Sequence, residues 1–234
     1  MSKFKTFYEG HDEAYKKRKA AGRIGWDTAE GTSENLKIFA SAFQNPLVPK
    51  NGKVLELGCG AGDISIMLGE IGYKISGIDI SETAIVWAKE KAAAKNIEAD
   101  FRVGNVLDLS EFEEQSFDIV LDGHCLHCII GEDRKKFLSE AFRVLKNGGL
   151  FITGTMCNEW TKTPIEGISE YFDEKTRCLI SRNIATRYIG KDADIIEEIK
   201  QYGFEVVDTK LIPKKSDDDC DELFVWAMKK DESV

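Results

Sequence analysis

The sequence lacks any long apolar run. No stretch approaches the roughly 18 consecutive apolar residues that a membrane-spanning helix needs. The N-terminal segment MSKFKTFYEGHDEAYKKRK also lacks the apolar core of a secretory signal. These two absences predict a cytoplasmic protein without a membrane partner.

An excess of positive charge is lacking as well. The chain of 234 residues has 32 Lys and Arg against 41 Asp and Glu, and its formal net charge is −9. Such a surface repels phosphate backbones, so we expect no nucleic-acid partner. With 42% hydrophobic and 31% charged residues, the composition excludes disordered, collagenous and coiled-coil chains. The length suits one large α/β domain.

The cysteines lack the dense spacing of a small secreted scaffold. All six are scattered, which predicts free thiols in a reducing compartment. Cys125 and Cys128 form a C-x-x-C pair, but no second pair follows to complete a four-ligand zinc site. His124, His127 and the two thiols are suitable ligand types, yet four groups within five residues rarely reach one tetrahedral ion. We therefore predict no metal site.

Apolar runs and amphipathic stripes alternate along most of the chain and predict an α/β fold. The last two strands have no helix between them, so we expect them to pair as an antiparallel hairpin at the sheet edge. A helical cap is predicted over residues 1–45, and residues 155–191 form an insertion that is expected to shape a ligand pocket. The predicted strands are 53–58, 74–79, 100–104, 117–122, 149–154, 204–212 and 222–229.

A glycine-rich turn carries the strongest chemical signal. The run ELGCGAG, from Glu56 to Gly62, closes the first predicted strand and opens the first predicted helix of the alternating region. Glycines permit a tight turn and let a ligand lie against the backbone. Asp79 ends the second strand, near the spacing of an acid that binds ribose hydroxyls. A tight turn without a ligand is the alternative interpretation.

Five motifs in order give the chain a family resemblance. VLELGCGAG, IDIS, VGNVLDL, FDIVLDGHCLH and RVLKNGG span residues 54–152 and resemble the class I S-adenosylmethionine (SAM)-dependent methyltransferases. A dinucleotide dehydrogenase is less similar, because Asp63 stands where its G-x-G-x-x-G fingerprint needs a third glycine. The resemblance implies one domain over 1–234 with a doubly wound, Rossmann-like sheet. Seven strands, mostly parallel, would carry helices on both faces and an N-terminal helical lid.

The resemblance also implies a cofactor site for SAM. Asp79 would accept hydrogen bonds from the ribose, and Asn105 would accept from the adenine amino group. Glu56 would anchor the turn or contact the SAM ammonium through water, and Asp122 would face the methionine end. Capping of backbone groups is the alternative for Asn105 and Asp122. The implied set is Trp26, Glu56, Gly58, Cys59, Gly60, Gly62, Asp79, Ile80, Asn105, Val106 and Asp122.

Trp26 lies on a Gly-flanked loop and is expected either to close over the ligands or to anchor the N-terminal helices. His124 and His127 follow the fourth strand and are the candidate catalytic residues, as proton acceptors. A packing role in the pocket wall is the alternative for both histidines.

The expected reaction is methyl transfer from SAM to a small molecule by in-line displacement, releasing S-adenosylhomocysteine (SAH). A non-catalytic SAM sensor or partner-activating subunit is the first alternative, and a thiol or metalloid acceptor is a minor one. An NAD-linked oxidoreductase is the least favoured interpretation. The sequence leaves the acceptor atom and the oligomeric state open.

Overall fold

The strands form two sheets, seen in a computed structural model that describes residues 4–160, 170–215 and 219–230. The large sheet has the order β3-β2-β1-β4-β5-β10-β9, and the small sheet has the order β6-β7-β8. The strands are β1 (Lys53–Leu57), β2 (Lys74–Asp79), β3 (Ala99–Val103), β4 (Phe117–Gly123), β5 (Leu145–Cys157), β6 (Glu170–Asp173), β7 (Cys178–Ser181), β8 (Ile184–Tyr188), β9 (Phe204–Ile212) and β10 (Asp221–Lys229).

The large sheet confirms the predicted α/β architecture. Its first five strands are parallel, and β10 runs antiparallel to both β5 and β9. The strand order therefore reverses between β1 and β4, which is where doubly wound folds bind ligands. The helices are α1 (Gly10–Ala20), α2 (Ala29–Ala42), α3 (Asp63–Glu70), α4 (Glu82–Ala94), α5 (Asp133–Val144) and α6 (Asp192–Gln201).

Helices cover both faces of this sheet. Phe137 of α5 and Ile195 of α6 pack on one face, and Phe39 of α2 and Ile85 of α4 pack on the other. The central strands β1 and β4 are almost wholly buried, as expected for parallel strands covered on both sides. Their continuous apolar runs, rather than alternating ones, are the sequence signal of that position.

The small sheet was missed by the sequence interpretation, which predicted a single sheet. Its strands are only four or five residues long, and their burial does not alternate: β7 has three buried residues in a row and β6 has none. They lie inside the predicted insertion 155–191, of which residues 161–169 fall outside the described part. Strand β5 also reaches Cys157, three residues beyond its predicted end.

The N-terminal helices α1 and α2 match the predicted helical cap. Acidic residues in the first turn of α1 and basic residues in its last turn both suit the helix dipole. Asp12 of α1 accepts hydrogen bonds from Ser81 Oγ (2.8 Å) and from the backbone N–H of Thr83 (3.0 Å). Ser81 itself caps α4 by accepting a hydrogen bond from the backbone N–H of Ala84. These contacts fasten α1 across the start of α4.

In the described ranges, no helix combines the length and the apolar character needed to cross a bilayer.

Candidate active site

A cavity of about 560 Å³ opens at the carboxyl ends of β1 and β4. This is the point where the strand order reverses, and the volume is typical of small-molecule sites. Its walls come from the glycine turn after β1, the helix α1, the turn after β4 and the strands β8 and β10. The cavity therefore joins the parallel sheet to both parts of the chain that cover it.

The glycine turn is packed so closely that side chains would not fit at three positions. Gly58 has φ +66°, and a Cβ there would lie 2.6 Å from Sγ of Cys125. Gly60 has φ +53°, and a Cβ there would overlap the hydroxyl of Tyr15. Both residues expose bare backbone to the cavity. Gly62, where a Cβ would lie 2.9 Å from that of Ala88, is the N-cap of α3 and does not line the cavity.

Asp79 lies at the tip of β2, 8% exposed, on the cavity wall. Its Oδ2 accepts a hydrogen bond from the backbone N–H of Gly60 (2.9 Å), and its Oδ1 accepts from that of Ser81 (2.8 Å). Burial raises the pKa of Asp79, and the two backbone donors oppose that shift. Each carboxylate oxygen keeps a further lone pair, so the side chain is oriented and can still accept from a ligand.

Glu56 lies on the floor of the cavity and is almost fully buried. Its Oε2 accepts a hydrogen bond of 2.5 Å from Ser65 Oγ, which ties β1 to α3. Burial raises the pKa of Glu56 to about 8. Because the carboxyl group is mostly neutral at pH 7, this geometry favours the role of turn anchor over that of a charged ligand partner.

Asp122 lies beneath the cavity wall instead of facing the ligand space. Its Oδ1 accepts from the backbone N–H groups of Cys125 (2.7 Å) and Leu126 (2.9 Å), and its Oδ2 accepts from Thr153 Oγ1 (2.5 Å). The side chain is fully buried and burial raises its pKa. The geometry favours the capping alternative, in which Asp122 orders the turn after β4.

Asn105 combines the two roles considered for it. Its Oδ1 accepts from the backbone N–H of Leu107 (3.0 Å), which is a local cap. Asn105 and Val106 nevertheless line the cavity beside Ile80. Ile80, which follows β2, and Asn105 and Val106, which follow β3, therefore form one continuous part of the cavity wall.

The two candidate catalytic histidines differ in their partners. His124 Nε2 lies 2.5 Å from Oε1 of Glu222 on β10, and the His124 ring meets Phe39 edge-on. Burial lowers the pKa of His124, but the Glu222 carboxylate outweighs burial and leaves the pKa above its usual value. Burial lowers the pKa of His127, and its Nδ1 has no hydrogen-bond partner among the described residues. At neutral pH His127 is the uncharged ring of the pair.

Cys125 and Cys128 lie within one turn, because Cys128 N donates a 2.8 Å hydrogen bond to Cys125 O. Both residues line the cavity. Burial raises the pKa of Cys125. Burial also opposes ionisation of Cys128, but Arg187 and His127 outweigh it and leave the pKa of Cys128 below its usual value. In the described part of the chain, no group of three or more His, Cys, Asp or Glu side chains has the arrangement of a metal site.

Trp26 lines the cavity and also anchors α1. Its ring contacts Tyr15 edge-on at 5.1 Å, and the Arg18 guanidinium lies 3.8 Å from the ring centroid. Arg18 Nε donates to the Trp26 carbonyl at 2.7 Å. The two roles predicted for Trp26 as alternatives are therefore compatible.

Most of the predicted site residues come together in this cavity. Two do not line it, Gly62 and Asp122. Those that line it are Trp26, Glu56, Gly58, Cys59, Gly60, Asp79, Ile80, Asn105, Val106, His124 and His127.

The wall also contains residues that the sequence interpretation did not assign to the site, among them His11, Arg187 and Glu222. Arg187 lies in the predicted insertion 155–191. Because that insertion was expected to shape a ligand pocket, its location was the available sequence signal for a residue of the cavity wall. Glu222 lies 98 residues from His124, and no local pattern indicates that pairing.

Comparison with known proteins gives the site its family context. Residues 55–153 match the family model described as "Methyltransferase domain". A demethylmenaquinone methyltransferase of Leptospira interrogans is 34% identical over 116 residues, covering 47% of this chain and 46% of that protein. A ribosomal protein L11 methyltransferase of Dictyoglomus thermophilum is 37% identical over 107 residues, covering 45% of this chain and 33% of that protein. The matches span less than half the length of these curated relatives.

Among solved structures, the fold is similar to that of 1,6-didemethyltoxoflavin-N1-methyltransferase from Burkholderia thailandensis. That structure contains bound 1,6-didemethyltoxoflavin and S-adenosylhomocysteine. The TM-score is 0.71 with 16% identity, over 96% of this chain and 87% of that one. At this identity the similarity shows the fold alone.

Proposed function

We propose that this protein is a class I SAM-dependent methyltransferase that transfers a methyl group from SAM to a small-molecule acceptor, because residues 55–153 match the family model described as "Methyltransferase domain". The observation that carries the proposal is the cavity at the β1/β4 reversal. It combines a bare glycine turn, an oriented carboxylate and a space of about 560 Å³ with two histidines and two thiols.

The residues at the β1 and β2 ends fit the nucleoside part of SAM. Asp79 has acceptor capacity left for ribose hydroxyls, and the backbone of Gly58 and Gly60 allows close approach. Ile80 and Asn105 offer an apolar surface and an amide on the neighbouring wall for adenine. The same residues were expected from the sequence to hold this cofactor.

The chemistry asks the protein mainly for positioning. SAM supplies an electrophilic methyl group on its sulfonium, and the protein has to hold a nucleophile in line with that S–CH3 bond. For an acceptor that arrives protonated, His127 is the better proton acceptor, since burial keeps its ring neutral. His124 is already paired with Glu222 and is better suited to hold the wall.

The volume of the cavity, about 560 Å³, is in the range of small-molecule sites and supports a small acceptor over a protein acceptor. Tyr15 and Trp26 cover one side of the cavity, and Arg187 and Glu222 stand on others. One relative is named for a ribosomal protein, so a protein acceptor is the competing proposal. A folded protein would have to present its nucleophile through these walls.

Calorimetry with SAM, SAH and NAD tests cofactor choice. We expect SAM and SAH to bind and NAD not to bind. Binding of NAD in place of SAH would overturn the proposal.

A panel of O, N, S and C nucleophiles, read out as SAH formation, tests turnover. Release of SAH with at least one small acceptor is expected. Tight SAH binding without turnover of any acceptor would favour a non-catalytic sensor or a partner-activating subunit.

A thiol or metalloid acceptor is the second candidate, and one observation favours it. Cys125 and Cys128 both face the cavity within a single turn, where two thiols bind soft atoms well. The double variant Cys125→Ser/Cys128→Ser tests it in the same panel. Full turnover by this variant would exclude any role of the two thiols in acceptor binding.

A further inference from the structure

Arg187 places a cation without a carboxylate partner in the cavity wall. It lies on β8, which packs against the turn at 126–128. Its Nη1 donates to the carbonyl of Thr186 at 2.7 Å. Within residues 4–160, 170–215 and 219–230, no carboxylate oxygen lies within 4.0 Å of its guanidinium. By contrast, four other arginines have ion-pair partners, namely Arg102, Arg134, Arg143 and Arg177.

The strand β8 that carries Arg187 packs against the turn at 126–128, which follows β4. The charge of Arg187 lowers the pKa values of His127 and Cys128, which lie in the turn after β4, and of His11 on α1. The residues proposed above for the nucleoside lie at or just after the ends of β1, β2 and β3 instead. The space beside the turn after β4 is therefore the part of the cavity left for an acceptor.

The chemistry of this end suits a planar anion. A guanidinium binds a carboxylate through two parallel hydrogen bonds, and such a pair is favoured where water is partly excluded. His127 contributes a buried ring whose Nδ1 has no partner among the described residues. Arg187 lines the cavity without a carboxylate partner among the described residues, so its guanidinium is available to pair with an anionic ligand there.

We propose that Arg187 binds a carboxylate of the methyl acceptor, which makes small organic acids the substrate class of this site. The proposal rests on the methyl-transfer function proposed above and names its substrate class.

Alkylation of Cys128 tests anion recognition without a known acceptor. Iodoacetate carries a carboxylate, and iodoacetamide is its neutral counterpart. In both reactions the thiolate sulfur forms a bond to the CH2 carbon and iodide leaves. A Cys125→Ser background leaves Cys128 as the thiol of this turn, and mass spectrometry of the peptide reports its labelling.

The measured quantity is the ratio of the two alkylation rates. A change in the pKa of Cys128 alters the rates of alkylation by both reagents to the same extent. The ratio of the two rates therefore isolates the effect of the reagent's carboxylate. We expect Arg187→Gln to lower the ratio of iodoacetate to iodoacetamide by about tenfold and Arg187→Lys to lower it less. The same ratio in the Arg187→Gln variant as in its parent would overturn the proposal. Thermal denaturation confirms that each variant is folded.

A second measurement separates the acceptor carboxylate from that of the cofactor. Arg187→Gln should leave the affinity for SAH unchanged within about twofold, since the residue contacts the acceptor. If SAH binding weakens while 5′-methylthioadenosine, which lacks the amino-acid carboxylate, binds as before, Arg187 holds the cofactor and the proposal is wrong. Failure of the methyl-transfer function would appear separately, as absence of SAH binding to the unmodified protein.

Discussion

At the scale of single residues, three buried carboxyl groups beside the cavity differ because their partners differ. Asp122 has both oxygens engaged by the turn after β4 and by Thr153. Glu56 is engaged by one serine and is mostly neutral at pH 7. Asp79 accepts from two backbone groups and still faces the cavity. Of the three, Asp79 is the one suited to bind ligand hydroxyls.

Replacement of Asp79 by Asn tests this assignment. An amide nitrogen cannot accept from a hydroxyl, so we expect the affinity for SAH to fall about tenfold to a hundredfold, which is ~1–3 kcal/mol. Calorimetry measures the change, and thermal denaturation without ligand reports any loss of the contacts to Gly60 and Ser81. Asp108→Asn, at an exposed position, is the matched control. Unchanged affinity in Asp79→Asn would contradict the ribose assignment.

Glu56 makes the stability of the protein depend on pH. Its pKa is about 8 in the folded protein against 4.5 as the ordinary value. The folded state therefore holds the proton more tightly, and this contribution is full below pH 4.5 and is lost as the pH rises through about 8. Glu56→Gln keeps the neutral form at every pH. The variant should gain stability relative to the wild type as the pH rises.

Chemical denaturation at about pH 5 and about pH 9 measures that gain. We expect the difference in free energy of unfolding between Glu56→Gln and wild type to change by a few kcal/mol in favour of the variant. The exposed Glu114→Gln variant is the control and should show no such change. A difference that is the same at both pH values would show that Glu56 is ionised throughout.

At the scale of elements, α1 is a cover that is packed directly on the glycine turn. The Tyr15 hydroxyl occupies the space where a side chain at Gly60 would stand. Asp12 fastens the same helix to the start of α4. On another side, β8 of the small sheet forms part of the cavity wall. The two covering segments therefore meet the cavity from different parts of the chain.

Gly60→Ala should displace α1 from the turn. We expect a lower melting temperature and weaker SAH binding than in Gly22→Ala. Gly22 also has positive φ, but a Cβ there meets no atom within 4 Å, so that variant isolates the backbone cost of about 1 kcal/mol. Tyr15→Phe in the Gly60→Ala background removes the overlapping hydroxyl and should restore part of the loss. Equal behaviour of the two glycine variants would show that α1 does not press on the turn.

At the scale of the whole molecule, the cavity joins several distant parts of the chain. Its lining residues come from α1, from the ends of β1, β2 and β4, and from β8 and β10. These residues come together only in the folded state, so a ligand that fills the cavity binds the folded protein and not the unfolded chain. Ligand binding and global stability are therefore linked.

Thermal denaturation with SAH measures that linkage. At a free concentration of about 100 times Kd, the ligand stabilises the folded state by ~2.7 kcal/mol. For a chain of this size we expect the melting temperature to rise by roughly 5–10 °C. NAD at the same concentration is the control and should give no shift. No shift with SAH would contradict cofactor binding in this cavity.

The sequence by itself determined the main sheet, the glycine turn and the position of Asp79. These features depend on local signals: apolar runs of strand length, glycines that follow a strand, and a carboxylate at the end of the next strand. Each of these residues lies at the end of a strand or in the turn directly after it. The positions of such residues relative to one another follow from the order of the strands in the sheet.

Only the tertiary structure decided which polar groups reach the cavity and with which partners. Asp122 stands at a strand end, as Asp79 does, but its backbone and threonine neighbours turn it into a cap. His124 is paired with a glutamate from β10, two strands away from β4 in the sheet, and Arg187 enters from a sheet that the sequence did not reveal. Such contacts join residues that are tens of positions apart, and no local periodicity encodes them, since they arise only when separate elements pack together.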